Sequence, residues 1–211
     1  MSLRVLHIIP TLGPGGAERL LGDLTRRTSP AIEHVIVSMT DDPPFFPVSC
    51  RIENLRMSRG GASPGSFLAA LRSLRACVRA TRPDVVQGWL YHGNFATLFM
   101  TGATRAPVVW SIHNTTLAPG RSKISTRAID RICAPLSRVV PRAIVYCTQQ
   151  ARVTHEQAGY APARGRVIEN GVRTDDFRFD AQARRAIRAE HGLSLAGRPT
   201  PRGGVRAGDP G

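Results

Sequence analysis

The sequence predicts an α/β protein with a doubly wound, mainly parallel sheet carrying helices on both faces. Short β-branched runs recur at 4–9 (RVLHII), 34–39 (HVIVSM), 84–89 (DVVQGW), 107–113 (PVVWSIH), 143–148 (AIVYCT) and 166–172 (RVIENGV). Segments of helical length and period separate most of them, and strands alternating with helices imply βαβ units. The length of 211 residues, with 42% hydrophobic and 21% charged side chains, fits one well-filled core.

Taken in order, the first apolar run leads into Gly13, Gly15 and Gly16 and then a helix starting near Ala17. After the second strand, the stretch TDDPPFF from Thr40 to Phe46 reads as an exposed turn. From Ser66 to Thr81 the helical period is plain. Phe67, Leu71, Leu74 and Val78 form an apolar stripe, while Arg72, Arg75, Arg79 and Arg82 form a basic one. That helix reads either as a crossover helix with a solvated basic face or as a contact for a membrane surface.

Residues 85–104 carry no charge, long enough to span a bilayer. Gln87, His92, Asn94 and two glycines argue instead for a buried strand followed by a buried helix. A second basic helical stretch runs from Arg121 to Arg142, and Pro135 is expected to kink or end it because proline removes a helical hydrogen bond. A last helix is expected near 181–192. Beyond Gly192 the chain is Gly, Pro and Arg without periodicity and is expected to be disordered.

Charge is lopsided: 29 Lys+Arg against 15 Asp+Glu gives +14, and Lys123 is the only lysine. Such a surplus attracts nucleic acid, anionic membranes or phosphorylated molecules by field alone. Nucleic acid is disfavoured, because aromatics make up only 6% and the arginines are spread over several helices with no reader motif. Cys50, Cys77, Cys133 and Cys147 lie far apart with no CxxC pair, which argues against a structural zinc site and fits a reducing cytoplasm. The first apolar run, broken by His7 and Pro10, is too short for a signal peptide.

A glycine-rich turn opening a helix offers backbone N–H groups and the positive end of a dipole, so its natural guest is an anion. The dinucleotide fingerprint fails at Glu18, where glycine or alanine is needed, and no Gly-Lys-Ser/Thr triplet provides a P-loop. Glu18 itself reads as a first-turn carboxylate matched to the helix dipole. His7, inside the first strand, reads as a satisfied core histidine.

The segments GPGGAERLL, VVQGWLYHGNFA, VVWSIHN, AIVYCTQQARVTHEQAGY and RVIENGVRTDDF, in that order, resemble the amino-terminal domain of a glycosyltransferase family 4 enzyme of GT-B architecture. The likeness runs from about Leu3 to Phe177. It implies a Rossmann-like acceptor-side domain over 1–177, while the terminal helix over 178–191 and the tail over 192–211 rest on pattern and composition. It further implies retaining, metal-independent sugar transfer from a nucleotide-sugar donor, with no tightly bound cofactor.

On that mapping His113 matches the histidine that faces the reacting sugar, donating a hydrogen bond or stabilising charge. Gly15 and Gly16 bring backbone amides to the cleft, and Asn170 and Gly171 serve a turn and interdomain hinge. His92 reads equally as a ligand at that rim or as a helix-start residue bonded to backbone. The partners implied are a glycan or lipid-linked acceptor and an anionic membrane surface met by Arg72, Arg75, Arg79 and Arg82, placing the protein in the cytoplasm, peripheral to the membrane.

After Phe177 nothing supplies the family's donor-binding residues, which leads to the expectation of a truncated or frame-shifted transferase. The rival reading is a non-catalytic module that binds a phosphorylated or glycan ligand.

Overall fold

The computed structural model describes residues 2–57, 64–100, 102–115, 123–172, 174 and 179–193. Seven strands form one sheet, all neighbours parallel: β1 (Leu3–Ile9), β2 (Ile32–Ser38), β3 (Arg51–Asn54), β4 (Val85–Trp89), β5 (Val108–Ile112), β6 (Ala143–Tyr146) and β7 (Gly165–Val167). Their order is β3-β2-β1-β4-β5-β6-β7. The strand order reverses between β1 and β4. In open α/β sheets, the crevice beyond the carboxyl ends at such a point is where ligands bind.

The crossover helices are α1 (Gly16–Thr28), α2 (Pro64–Thr81), α3 (Leu90–Ala96), α4 (Ile124–Leu136) and α5 (Gln149–Gln157). Alternation along the strands assigns each helix its face. Leu6, Ile8, Val35, Val37 and Val86 pack with Leu74 and Val78 of α2 and Ala96 of α3. Ile9 and Ile36 point the other way, against Ala17 and Leu21 of α1. A third cluster joins Trp110, Ile112, Ile144 and Tyr146 to Cys133 and Ala134 of α4 and Ala151 of α5. The core is therefore covered on both sides, as the doubly wound reading requires.

The six expected strands and the helices between them are present. The short edge strand β3 is the one the sequence did not reveal. Its four residues, RIEN, contain a single apolar side chain, and charged residues on a short edge are how sheets discourage pairing with other chains. In α4, Pro135 occupies the last turn and the helix ends at Leu136, with the Ser137 amide closing on the Cys133 carbonyl at 2.8 Å. In α2, Ala70, Leu74 and Val78 are buried while Arg72 and Arg79 are exposed.

The uncharged stretch after Asp84 is β4, α3 and a 3-10 turn (Thr97–Met100), as expected for a buried strand and helix. No helix among the described residues is long and apolar enough to cross a membrane. The four cysteines are free thiols. The chain divides after Gly171, and the later unit contains α6 (Ala181–Glu190), whose amino end is capped by the Asp180 carboxylate accepting from the Gln182 and Ala183 amides. The tail from 194 onward lies outside the described residues.

No loop separates β4 from α3. Leu90 turns the chain with φ of 59°, a left-handed conformation that costs a non-glycine residue about 1–2 kcal/mol. The sharp turn lays α3 directly on the sheet, and two glycines make room for it. A Cβ on Gly88 would meet the Asn94 backbone at 2.8–2.9 Å, and one on Gly93 would run into the Ile8 carbonyl oxygen. Gly93→Ala is expected to cost about 3 kcal/mol in urea unfolding, because the obstacle is backbone in a close-packed sheet. Gly16→Ala, with nothing within 4 Å of the new carbon, should change stability by less than about 1 kcal/mol.

Candidate active site

The loop after β1 is set by short backbone bonds. The Gly15 amide donates to the Gly13 carbonyl at 2.9 Å, and the Phe45 amide to the Leu12 carbonyl at 2.8 Å, so the 41–46 stretch is tied to this loop. Gly15 is the extended N-cap of α1 and Gly16 its first residue, with open space where a side chain would stand. The carboxylate of Glu18 folds back over Gly15 and accepts from the Thr11 hydroxyl at 3.2 Å. The first turn thus carries the acidic group that a helix amino terminus favours, as the dipole reading anticipated.

His113 follows β5 on the same carboxyl edge as that loop. Sheet register puts His7, Gln87, Trp89 and Ser111 on one face, with His7 opposite Gln87 and Trp89 opposite Ser111. His113, two residues beyond Ser111, continues that face. Its imidazole stacks on the Trp89 indole, centroids 5.1 Å apart and planes 3° from parallel. Trp89 also packs with Leu12, Ala17 and Leu21, so one side chain touches both the glycine-loop cluster and His113.

Both ring nitrogens of His113 are buried and have no hydrogen-bond partner among the described residues. Burial pushes its pKa down to about 4, so the ring is neutral at pH 7. A neutral imidazole presents one donor and one acceptor. A buried polar atom left unpaired costs about 1–3 kcal/mol, and a ligand hydroxyl returns that cost on binding.

His7 is a satisfied core histidine, as expected. Its Nε2 lies 2.9 Å from Nδ1 of His34, and its Nδ1 accepts the Trp89 indole N–H at 3.1 Å. Burial, and then the charge of His34, lowers its pKa to about 3, and burial lowers that of His34 as well.

His92, the third residue of α3, is half-buried beside an apolar cavity of about 150 Å3 whose lining includes Met39, Leu55, Phe67, Leu74 and Phe99. Burial, and then the Lys123 charge, lowers its pKa. Asn170 and Gly171 are exposed at the end of the first unit. An Asn-Gly pair favours a turn with positive φ, but neither residue has one. It occurs instead at Arg56, Arg82, Leu90, Gly102, Gly159 and Gly192, so the Asn-Gly pair does not form the left-handed turn that its composition favours.

A second buried polar cluster went unseen in the sequence. The Tyr91 hydroxyl meets Nε2 of His155 at 2.6 Å, His155 Nδ1 meets the Ala151 carbonyl at 2.7 Å, and the Tyr160 hydroxyl donates to Asp130 at 2.8 Å. It pins α5 to α3, and all four of its side chains are at least nine-tenths buried. Among the described residues, no three of His, Cys, Asp and Glu converge as a metal site would require.

A model of Glycosyltransferase Family 4 matches residues 14–176 of this chain, well over half of it. No curated protein matches significantly by sequence. Among solved structures, HepE of Anabaena, crystallised with UDP and glucose, superposes with a TM-score of 0.68 at 17% identity, covering 90% of this chain and 50% of its own. The sucrose-phosphate synthase of Thermosynechococcus elongatus gives 0.65 at 11% identity, covering 90% and 53%. The lipopolysaccharide outer core galactosyltransferase WaaB, in its apo form, gives 0.56 at 12%, covering 81% and 46%. These likenesses are of fold, and this chain spans about half the length of the structures it matches.

The histidines also set an acid limit on stability. His7, His34, His92, His113 and His155 all have folded pKa values below the ordinary 6.5. The unfolded chain therefore takes up protons first as pH falls below 6.5, and stability is lost progressively down to about pH 3, the folded value of His7. The carboxyl of Asp130, raised by burial, acts in the opposite sense and is outnumbered. His7 alone is expected to remove about 2 kcal/mol between pH 7 and pH 5. Urea midpoints at the two pH values measure the loss. Equal midpoints would mean that these imidazoles take up protons as readily in the folded protein as in the unfolded chain.

Proposed function

The chain belongs to glycosyltransferase family 4, and from that premise we propose that it forms the acceptor-side half of a retaining, metal-independent glycosyltransferase that uses a nucleotide-sugar donor. The observation that carries this reading is His113: a neutral imidazole at the carboxyl edge of the sheet, with two buried nitrogens that no described residue satisfies. A sugar hydroxyl supplies both an acceptor and a donor and so suits such a ring. Because the ring is neutral, its role is to donate a hydrogen bond to the sugar rather than to supply a positive charge.

Gly15 and Gly16 stand beside the open start of α1 and would turn backbone amides to the acceptor or to the donor's phosphates. Asn170 and Gly171 lie where the first unit ends, at the passage toward a donor-binding domain. UDP and glucose bound by HepE are the model for the donor, and the lipopolysaccharide galactosyltransferase WaaB is the model for a cell-envelope acceptor.

For a lipid-linked acceptor, the cavity beside His92 offers room for a few methylenes, with Lys123 near enough to His92 to lower its pKa and to attract an anionic linkage. His92 is then a wall of the acceptor site. Arg72, Arg79 and Arg82, exposed on or just after α2, together with half-buried Arg75, would meet anionic headgroups and hold the protein on the cytoplasmic membrane face.

Two measurements test this reading. In NMR titrations with a short lipid-linked oligosaccharide, the His113 ring and the Gly15 and Gly16 amides should shift, and His113→Ala should weaken binding about tenfold, or about 1.4 kcal/mol. An unchanged Kd in that variant would remove His113 from the site. In flotation with vesicles containing anionic lipid, the protein should rise at low salt and sink at moderate salt, and the double variant Arg72→Glu, Arg79→Glu should sink at both.

A further inference from the structure

Among the described residues His113 has no second-nitrogen partner of the kind that usually fixes the orientation of a functional imidazole. Its plane is instead set by the Trp89 indole beneath it. What holds the indole is a chain of hydrogen bonds running away from the site to the end of α1. An indole N–H can only donate, so Nδ1 of His7 must accept. The proton of neutral His7 is then on Nε2 and is donated to Nδ1 of His34 at 2.9 Å. His34 in turn carries its proton on Nε2 and donates it to the Thr28 hydroxyl at 2.7 Å. The Thr28 hydroxyl donates to the Leu24 carbonyl at 2.7 Å.

Trp89 donates only, while His7, His34 and Thr28 each have one donor and one acceptor engaged, so the indole sets one direction for the whole chain. Both rings are buried, with His7 1% and His34 6% exposed. Turning the indole would leave its own N–H and Nδ1 of His7 unpaired in the core, so the indole plane is fixed and the imidazole stacked on it is fixed as well.

We propose that Trp89 and His7 are positioning residues for His113, with His34 and Thr28 anchoring them, so that the hydrogen-bond chain from α1 through β2, β1 and β4 orients the imidazole presented to the sugar. This rests on the reading of His113 as the sugar-facing group, but its test does not.

The experiment records the two indole N–H signals and the His113 ring signals by NMR in the wild-type chain, His7→Leu, His7→Gln and Thr28→Val. The chain has only two tryptophans, and Trp110, whose N–H donates to Thr97 at 2.8 Å, serves as an internal control. In His7→Leu the Trp89 indole and His113 ring signals are expected to move while that of Trp110 stays. His7→Gln, which keeps an acceptor for the indole, should return both toward the wild-type positions. Thr28→Val, which cuts the far end of the chain, should move both in the same direction by less.

Unchanged His113 signals in a folded His7→Leu overturn the proposal. So does a failure of His7→Gln to rescue them. Should His7→Leu not fold, unchanged His113 signals in Thr28→Val overturn it. A His113→Ala variant that binds the oligosaccharide normally would instead refute the sugar-facing role and leave the link between His7 and the His113 ring standing.

Discussion

At Trp89 the chain passes from strand to helix with no loop, and the arrangement of the site depends on that junction. The left-handed turn at Leu90 would relax if the chain could swing outward, but Gly88 and Gly93 let α3 sit so close to β1 and β4 that nothing can move independently. Asn94 reinforces the contact, its side-chain amide bonding the backbone of Ser111 in β5 through both its oxygen and its nitrogen. Strain of about 1–3 kcal/mol persists at such a place only where the surrounding packing determines it. The return is an indole held between α1 and β5 at the point where the sheet reverses its strand order.

Burial alone does not mark a histidine as functional in this protein. Five imidazoles have lowered pKa values, all chiefly through desolvation. His7, His34 and His155 are more deeply buried than His113, yet each has both nitrogens engaged by protein groups. They serve as neutral connectors between strands and helices, roles an apolar residue could not fill without leaving Trp89 or Tyr91 unpaired. His113 differs in satisfaction rather than in charge state. Ser38, Thr40 and Tyr146 also bury a side-chain oxygen with no partner among the described residues. Of the described histidines, His113 alone buries both nitrogens with no such partner, at the carboxyl edge of the sheet, where a ligand gains most.

Much of this was legible in the sequence because it depends on patterns of period and order. β-branched runs spaced by helical segments gave the sheet, and glycine before a helix located the first loop. The motif order identified the family, although no one motif was specific. β3 stayed hidden because a four-residue edge strand with one apolar side chain has no period to detect. The contact of His7 with His34 was invisible because it spans 27 residues and is created by the register of β1 against β2. Asn170 and Gly171 misled in the opposite way: an Asn-Gly pair permits positive φ but does not compel it, and neither residue adopts it.

The surplus of positive charge and the chemistry of the site occupy different places. The ion pairs Arg4–Glu33 and Arg51–Glu53 are substantially exposed, where such pairs contribute about 0–1 kcal/mol, so these two pairs add little to the fold. Around the site, by contrast, His113 and His7 are neutral, and the nearby helix start carries its own carboxylate on Glu18. A field of +14 raises the local concentration of anionic molecules without choosing among them. Discrimination must then come from short-range hydrogen bonds at groups whose orientation is fixed before the ligand arrives. A ring clamped by stacking, with neither nitrogen paired to a described residue, meets that condition without any charge of its own.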